Sequence, residues 1–142
     1  MSNLTEMLRR HEGVETHAYK CTSGKITVGV GRNIDPDGGS IGLSDDEIEY
    51  LLQNDIARCA EELGREFPWF SGLDQVRADA MIDLCFNIGI TSLRKFVNAN
   101  DAMARDDYDE ASAEYYQSKW ASQVGERAIE ICAMIKTGKY LK

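Results

Sequence analysis

Along the chain the spacing of apolar residues changes character twice. Leu4, Met7 and Leu8, with His11, recur at helical intervals, which predicts a short N-terminal helix over 3–12. Asn3 and Glu6 read as a capping box at its start and Gly13 as its C-cap, so Glu12 falls in the last turn. Residues 16–32 alternate instead, predicting two strands joined by Thr22-Ser23-Gly24. In the second strand Ile26, Val28 and Val30 point one way and Lys25, Thr27, Gly29 and Gly31 the other. Pro36-Asp37-Gly38-Gly39 is a turn, and residues 40–43 add a short third strand.

The helical period returns at Ser44, which forms a capping box with Glu47. Ile48, Leu51, Leu52, Ile56, Cys59 and Leu63 then make one long stripe ending at Gly64. Residues 74–88 are apolar nearly all round from Ala80 onward, the pattern of a central buried helix. Shorter helices are expected at 91–98, 100–105, 107–121 and 125–136, with Gly138 closing the last. The predicted fold class is α+β within one domain of 142 residues. A small β-hairpin lobe (about 14–60) is joined by the long helix to a larger helical lobe (about 61–142, with the helix 3–12), and a cleft lies between them.

Composition narrows the function classes. Sixteen basic residues against twenty-four acidic ones leave a net charge of −8, which argues against nucleic acid or an anionic membrane as partner. No run approaches the roughly 18 apolar residues of a membrane span. The N-terminal MSNLTEMLRRHEG lacks an apolar h-region, so no signal peptide is expected. The four cysteines, at 21, 59, 85 and 132, contain no CxxC and match no zinc spacing, so neither a metal nor another cofactor is expected. Cys59, Cys85 and Cys132 sit on apolar helical stripes and read as buried free thiols; Cys21 sits on none.

Two positions suggest chemistry. At a helix C-terminus the unpaired carbonyls disfavour an ionised carboxylate, which suits Glu12 to general-acid work, although an ordinary solvated glutamate fits the position too. Gly29 and Gly31 flank Thr27 on one strand face, where a flat ligand such as a sugar ring can approach the backbone; a bulge is the alternative.

Glu12-Gly13, followed by Cys21-Thr22, Gly24, Thr27, Gly29 and Gly31-Arg32, resembles the active-site region of the phage-type lysozymes, glycoside hydrolase family 24. The resemblance extends to LDQVRADAMIDLCFNIG, YDEASAEYYQSKWASQVGERA and KTGKY, and so spans most of the chain. It implies an endolysin, a muramidase cleaving the β-1,4 bond between N-acetylmuramic acid and N-acetylglucosamine. By the same resemblance Glu12 is the general acid, Thr27 helps hold the attacking water, and Cys21 takes the second catalytic position, more often an aspartate. Arg127 pairs with Glu12, and Gly31, Asn33, Phe86, Asn87 and Trp120 line or support the sugar-binding cleft. Ala99 and Glu114 stand where the family's best-known members carry serine and asparagine. Arg32 replaces the histidine that follows the last glycine, and its family partner matches Asp55, so an Arg32–Asp55 ion pair is predicted.

Cys21 leaves two chemistries open. A thiolate, favoured by Lys20, Lys25 and Arg32 nearby in sequence, either polarises a water for inversion or attacks the sugar directly for net retention. Three rival readings accompany this one. They are a catalytically impaired glycan-binding module of the same fold, a lytic transglycosylase, and a thiol hydrolase using Cys21 with His11 or His17. The expected partner is the peptidoglycan glycan strand, with no nucleic acid and no stable membrane insertion. A monomer is expected in the host cytoplasm, acting on the periplasmic wall after a holin-type lesion.

Overall fold

The computed structural model describes residues 2–13 and 42–141. Its elements are α1 (Asn3–Glu12), α2 (Asp45–Glu66), a 3-10 segment (Pro68–Gly72), α3 (Gln75–Ile88), α4 (Ile90–Arg94), α5 (Val97–Ala104), α6 (Tyr108–Tyr116), α7 (Lys119–Val124) and α8 (Glu126–Thr137). Every regular element among the described residues is helical, and this overturns the expected α+β class in favour of a helical fold. Of the expected third strand, Gly42 and Leu43 carry no strand structure; the hairpin predicted over 16–32 lies outside the described residues. No described helix is long and apolar enough to cross a membrane.

The chain divides into two compact units, Met1–Asn54 and Asp55–Lys142, with the boundary inside α2. In the first, Leu4, Met7 and Leu8 of α1 are buried, as their spacing requires. The cap of α1 is Ser2 rather than Asn3: the Ser2 hydroxyl accepts from the Thr5 amide, one residue earlier than the sequence pattern suggested. Gly13 ends the helix at φ 78°, a conformation that glycine reaches without the steric cost of a Cβ. Two side-chain bonds tie α1 to the start of α2. Gln53 donates to the Thr5 hydroxyl at 3.0 Å, and Arg9 pairs with Glu49 at 2.7 Å. The Ser44–Glu47 box forms as the sequence predicts, with Ser44 N–H donating to Glu47 and Glu47 N–H to the Ser44 hydroxyl.

The second unit is built around α3, which packs on α8, while α6 packs on both α5 and α8. Its core includes Leu63, Met81, Leu84, Leu93, Met103, Ile131, Met134 and Ile135, all fully buried. Two predicted helices are broken where a side chain takes over backbone partners. Asn100 donates to the Leu93 carbonyl at the end of α4, and the chain restarts at Val97. Ser118 donates to the Tyr115 carbonyl and accepts from the Ala121 amide, which divides 107–121 into α6 and α7. Gly64 lies inside α2, which runs on to Glu66.

Through the apolar body of α3 runs a polar row at four-residue spacing: Gln75, Asp79, Asp83 and Asn87. Gln75 donates to Asp79, whose second oxygen accepts from the Tyr140 hydroxyl. Asp83 is fully buried and accepts from Arg127 Nε at 2.8 Å, with Arg127 itself 9% exposed. Arg77 closes the other end of α8: its guanidinium donates to the carbonyls of Ile135 and Lys136 and lies 3.8 Å over the Tyr108 ring.

Leaving a buried guanidinium without its carboxylate costs about 3–5 kcal/mol, whereas replacing both partners by apolar groups is often nearly neutral. Asp83→Leu therefore lowers the unfolding free energy by about that amount in urea titration, and Asp83→Leu with Arg127→Met lowers it less. Equal losses in the single and double variants would show that the pair carries no such coupling. At the exposed start of α2, Ser44→Ala costs only about 0.5–2 kcal/mol, and a loss indistinguishable from zero would remove the capping role.

Candidate active site

Glu12 is the last residue of α1, exposed and followed by the positive-φ Gly13. It belongs to the first unit, whereas Asp55, Phe86, Asn87, Trp120 and Arg127 belong to the second. Cys21, Thr27, Gly31, Arg32 and Asn33 lie outside the described residues.

Within the second unit two of the predicted cleft residues meet. The Trp120 indole N–H donates to the Asn87 side-chain carbonyl at 2.8 Å, the indole buried on α7 and Asn87 half-buried near the end of α3. A buried indole needs an acceptor, and Asn87 supplies it, so the amide is held in one orientation. Phe86 and Asp55 line a common cavity of about 360 Å³ between α2 and α3. Asp55 is paired there with Arg58 at 2.9 Å, one helical turn away; its predicted partner Arg32 is outside the described residues. Ala99 is buried in α5, and Glu114 is half-buried in α6.

Arg127 stands in the first turn of α8 beside Asp83: Nε donates to the carboxylate and Nη2 lies 3.5 Å from the Asp83 carbonyl oxygen. Asp83 was not among the residues the sequence singled out. The available signal was its position four residues before Asn87 in an otherwise apolar helix, a spacing that puts both on one face.

Three cysteines are described, and all are buried free thiols, as their stripes predicted. Burial pushes the Cys132 thiol up to about 12. Cys59 and Cys85 share a hydrogen bond that lowers the Cys59 thiol and, with burial, raises that of Cys85. Both line the cavity beside Phe86.

The phage lysozyme family model matches residues 9–133. An endolysin of Acyrthosiphon pisum secondary endosymbiont phage 1 is 31% identical over 126 residues, covering 85% of this chain and 80% of that protein. A probable T4-type lysozyme 2 of Dictyostelium discoideum is 24% identical, covering 97% of this chain and 96% of its own. The pre-baseplate central spike protein Gp5 of Enterobacteria phage T4 is 26% identical over 96% of this chain but only 28% of the spike protein. A family match over most of the chain, together with an endolysin nearly one-third identical, establishes that this protein belongs to the phage lysozyme family.

Proposed function

We propose that the protein is an endolysin that hydrolyses the β-1,4 bond between N-acetylmuramic acid and N-acetylglucosamine in peptidoglycan. The observation that carries this reading is the span of the family match, 9–133, which takes in Glu12, Cys21, Thr27, Phe86, Asn87, Trp120 and Arg127 together. The endolysin relative supports the same reading. Action on the host wall, a monomeric state and the need for a holin-type lesion belong to this proposal.

In the proposed reaction Glu12 gives its proton to the glycosidic oxygen as the bond to the anomeric carbon breaks. Cys21, as thiolate, takes a proton from a water held by Thr27, and the hydroxide adds to that carbon with inversion. The products are one reducing end and one free hydroxyl, and the proton passes from thiol back to carboxylate through solvent. Arg127 is assigned to pair with Glu12, with Asp83 orienting the guanidinium. Gly31, Asn33, Phe86, Asn87 and Trp120 are assigned to the glycan-binding surface, and Arg32 with Asp55 to a supporting ion pair.

On outer-membrane-permeabilised Gram-negative cells, Glu12→Gln lowers the clearing rate by about 10²–10⁴-fold, the usual share of general-acid catalysis. Wild type releases reducing ends of inverted configuration. Anhydromuramic products would identify a lytic transglycosylase, and clearing by neither protein would leave a glycan-binding module. For the second catalytic group, Cys21→Asp keeps activity while Cys21→Ser loses about 10²–10⁴-fold, because a hydroxyl is neither anionic nor a useful base near neutral pH. Alkylation inhibits the wild type and spares Cys21→Asp. Full activity in protein shown to be modified at Cys21 would end the catalytic assignment.

A further inference from the structure

The cavity between α2 and α3 holds a set of side chains that glycoside hydrolysis does not use. Cys59 and Glu62 stand three residues apart on α2 and share one face of that helix. Cys85 reaches them from α3. The two Sγ atoms and a Glu62 carboxylate oxygen all lie within 4.8 Å of one another, with both cysteines buried and Glu62 half-buried. Around a tetrahedral ion with metal–sulfur bonds of about 2.3 Å, neighbouring ligand atoms stand roughly 3.5–3.8 Å apart. Side-chain shifts of about half an ångström to one ångström would bring the three onto a single ion.

We propose that Cys59, Glu62 and Cys85 form a binding site for one thiophilic divalent cation of the zinc class, with a cavity water as fourth ligand. Two sulfurs and one carboxylate select a borderline-soft ion over magnesium or calcium, which take oxygen alone. The adjoining cavity, about 360 Å³, gives the ion an entry path and room for the water. On binding, both thiols lose their protons to solvent, so two thiolates and one carboxylate meet a doubly charged cation with one negative charge left over. Arg58 also lines the cavity, paired with Asp55 at 2.9 Å. Two ligands come from α2 and one from α3, so the ion acts as a clamp between the two helices.

The test uses the full chain carrying Cys21→Ser, which removes the thiol outside the described residues, in metal-free buffer with a phosphine reductant. Zinc titrated against a chromophoric chelator binds at one ion per chain, releases about two protons and raises the thermal midpoint by several degrees. Cadmium at the same stoichiometry gives the ultraviolet thiolate-to-metal charge-transfer band. Cys85→Ser weakens binding beyond the ~10–100-fold that loss of an outer-shell partner costs, Glu62→Gln weakens it about tenfold, and Cys132→Ser leaves it unchanged. X-ray absorption of the zinc-loaded protein shows two sulfur neighbours at about 2.3 Å and oxygen at about 2.0–2.2 Å. This last measurement needs no variant and so survives misfolding of any of them. Absence of saturable binding overturns the proposal, as does a spectrum without sulfur neighbours. Binding that survives Cys85→Ser, or falls equally with Cys132→Ser, overturns it too.

Discussion

A buried carboxylate is tolerable only where partners replace the water it has lost, since the effective penalty for an unpaired buried ion is several kcal/mol. Helix α3 carries two such carboxylates, Asp79 and Asp83, at the centre of the second unit. Their partners do not come from α3 alone. Tyr140 reaches Asp79 from the end of the chain, Arg127 reaches Asp83 from the first turn of α8, and Trp120 on α7 bonds to Asn87 one turn further on. Apolar packing would tolerate α8 sliding or rotating slightly on α3, whereas a carboxylate–guanidinium bond of 2.8 Å would not. The polar row therefore sets the register in which the last three elements close over the central helix. Arg77 fixes the opposite end by donating to the final carbonyls of α8.

The same contacts that close the fold also orient side chains assigned to the proposed site. Asn87 is held by the Trp120 indole, and the Arg127 guanidinium by Asp83. Both side chains are thus held in one orientation by other side chains of the second unit, as a preorganised site would require. Phe86 and Cys85 follow Asp83 by three and two residues and line the cavity facing α2, so α3 serves the polar row and the cavity at once. One helix coordinates two neighbourhoods because its side chains advance by about 100° per residue.

Much of the helical architecture was legible in the sequence where signals were local. The Ser44–Glu47 box, Gly13 and Gly138 as caps, the central helix over 74–88 and the burial of three cysteines all follow from spacing within a few residues. Where a distant or unusual partner decides the outcome, the local pattern was insufficient. Nothing near Asn100 in sequence announces that its amide will take the Leu93 carbonyl, and Ser118 looks like any helical serine until its hydroxyl is seen bonding both flanking turns. The 3-10 segment at Pro68–Gly72 was missed although its signal, Pro68 at the first position, is local. The α+β class failed on what the described residues contain, which is helix throughout. Glu12 at the end of α1 was anticipated, whereas the Asn87–Trp120 bond and Asp83 were not. An acid inside AMIDLCF reads as a blemish in an apolar helix until Arg127, forty-four residues later, arrives beside it.

The cysteines show how little residue type decides by itself. Cys132 is buried and its thiol is pushed up to about 12, so it stays protonated and inert across the physiological range. Cys59 and Cys85 are equally buried, yet their mutual hydrogen bond lowers one thiol at the expense of the other, and Glu62 stands beside both. Cys21 differs again, lying on no apolar stripe and between an acid and a threonine in a glycine-rich stretch. The same side chain is thus proposed for packing, ion binding and catalysis at different positions, and its surroundings decide which.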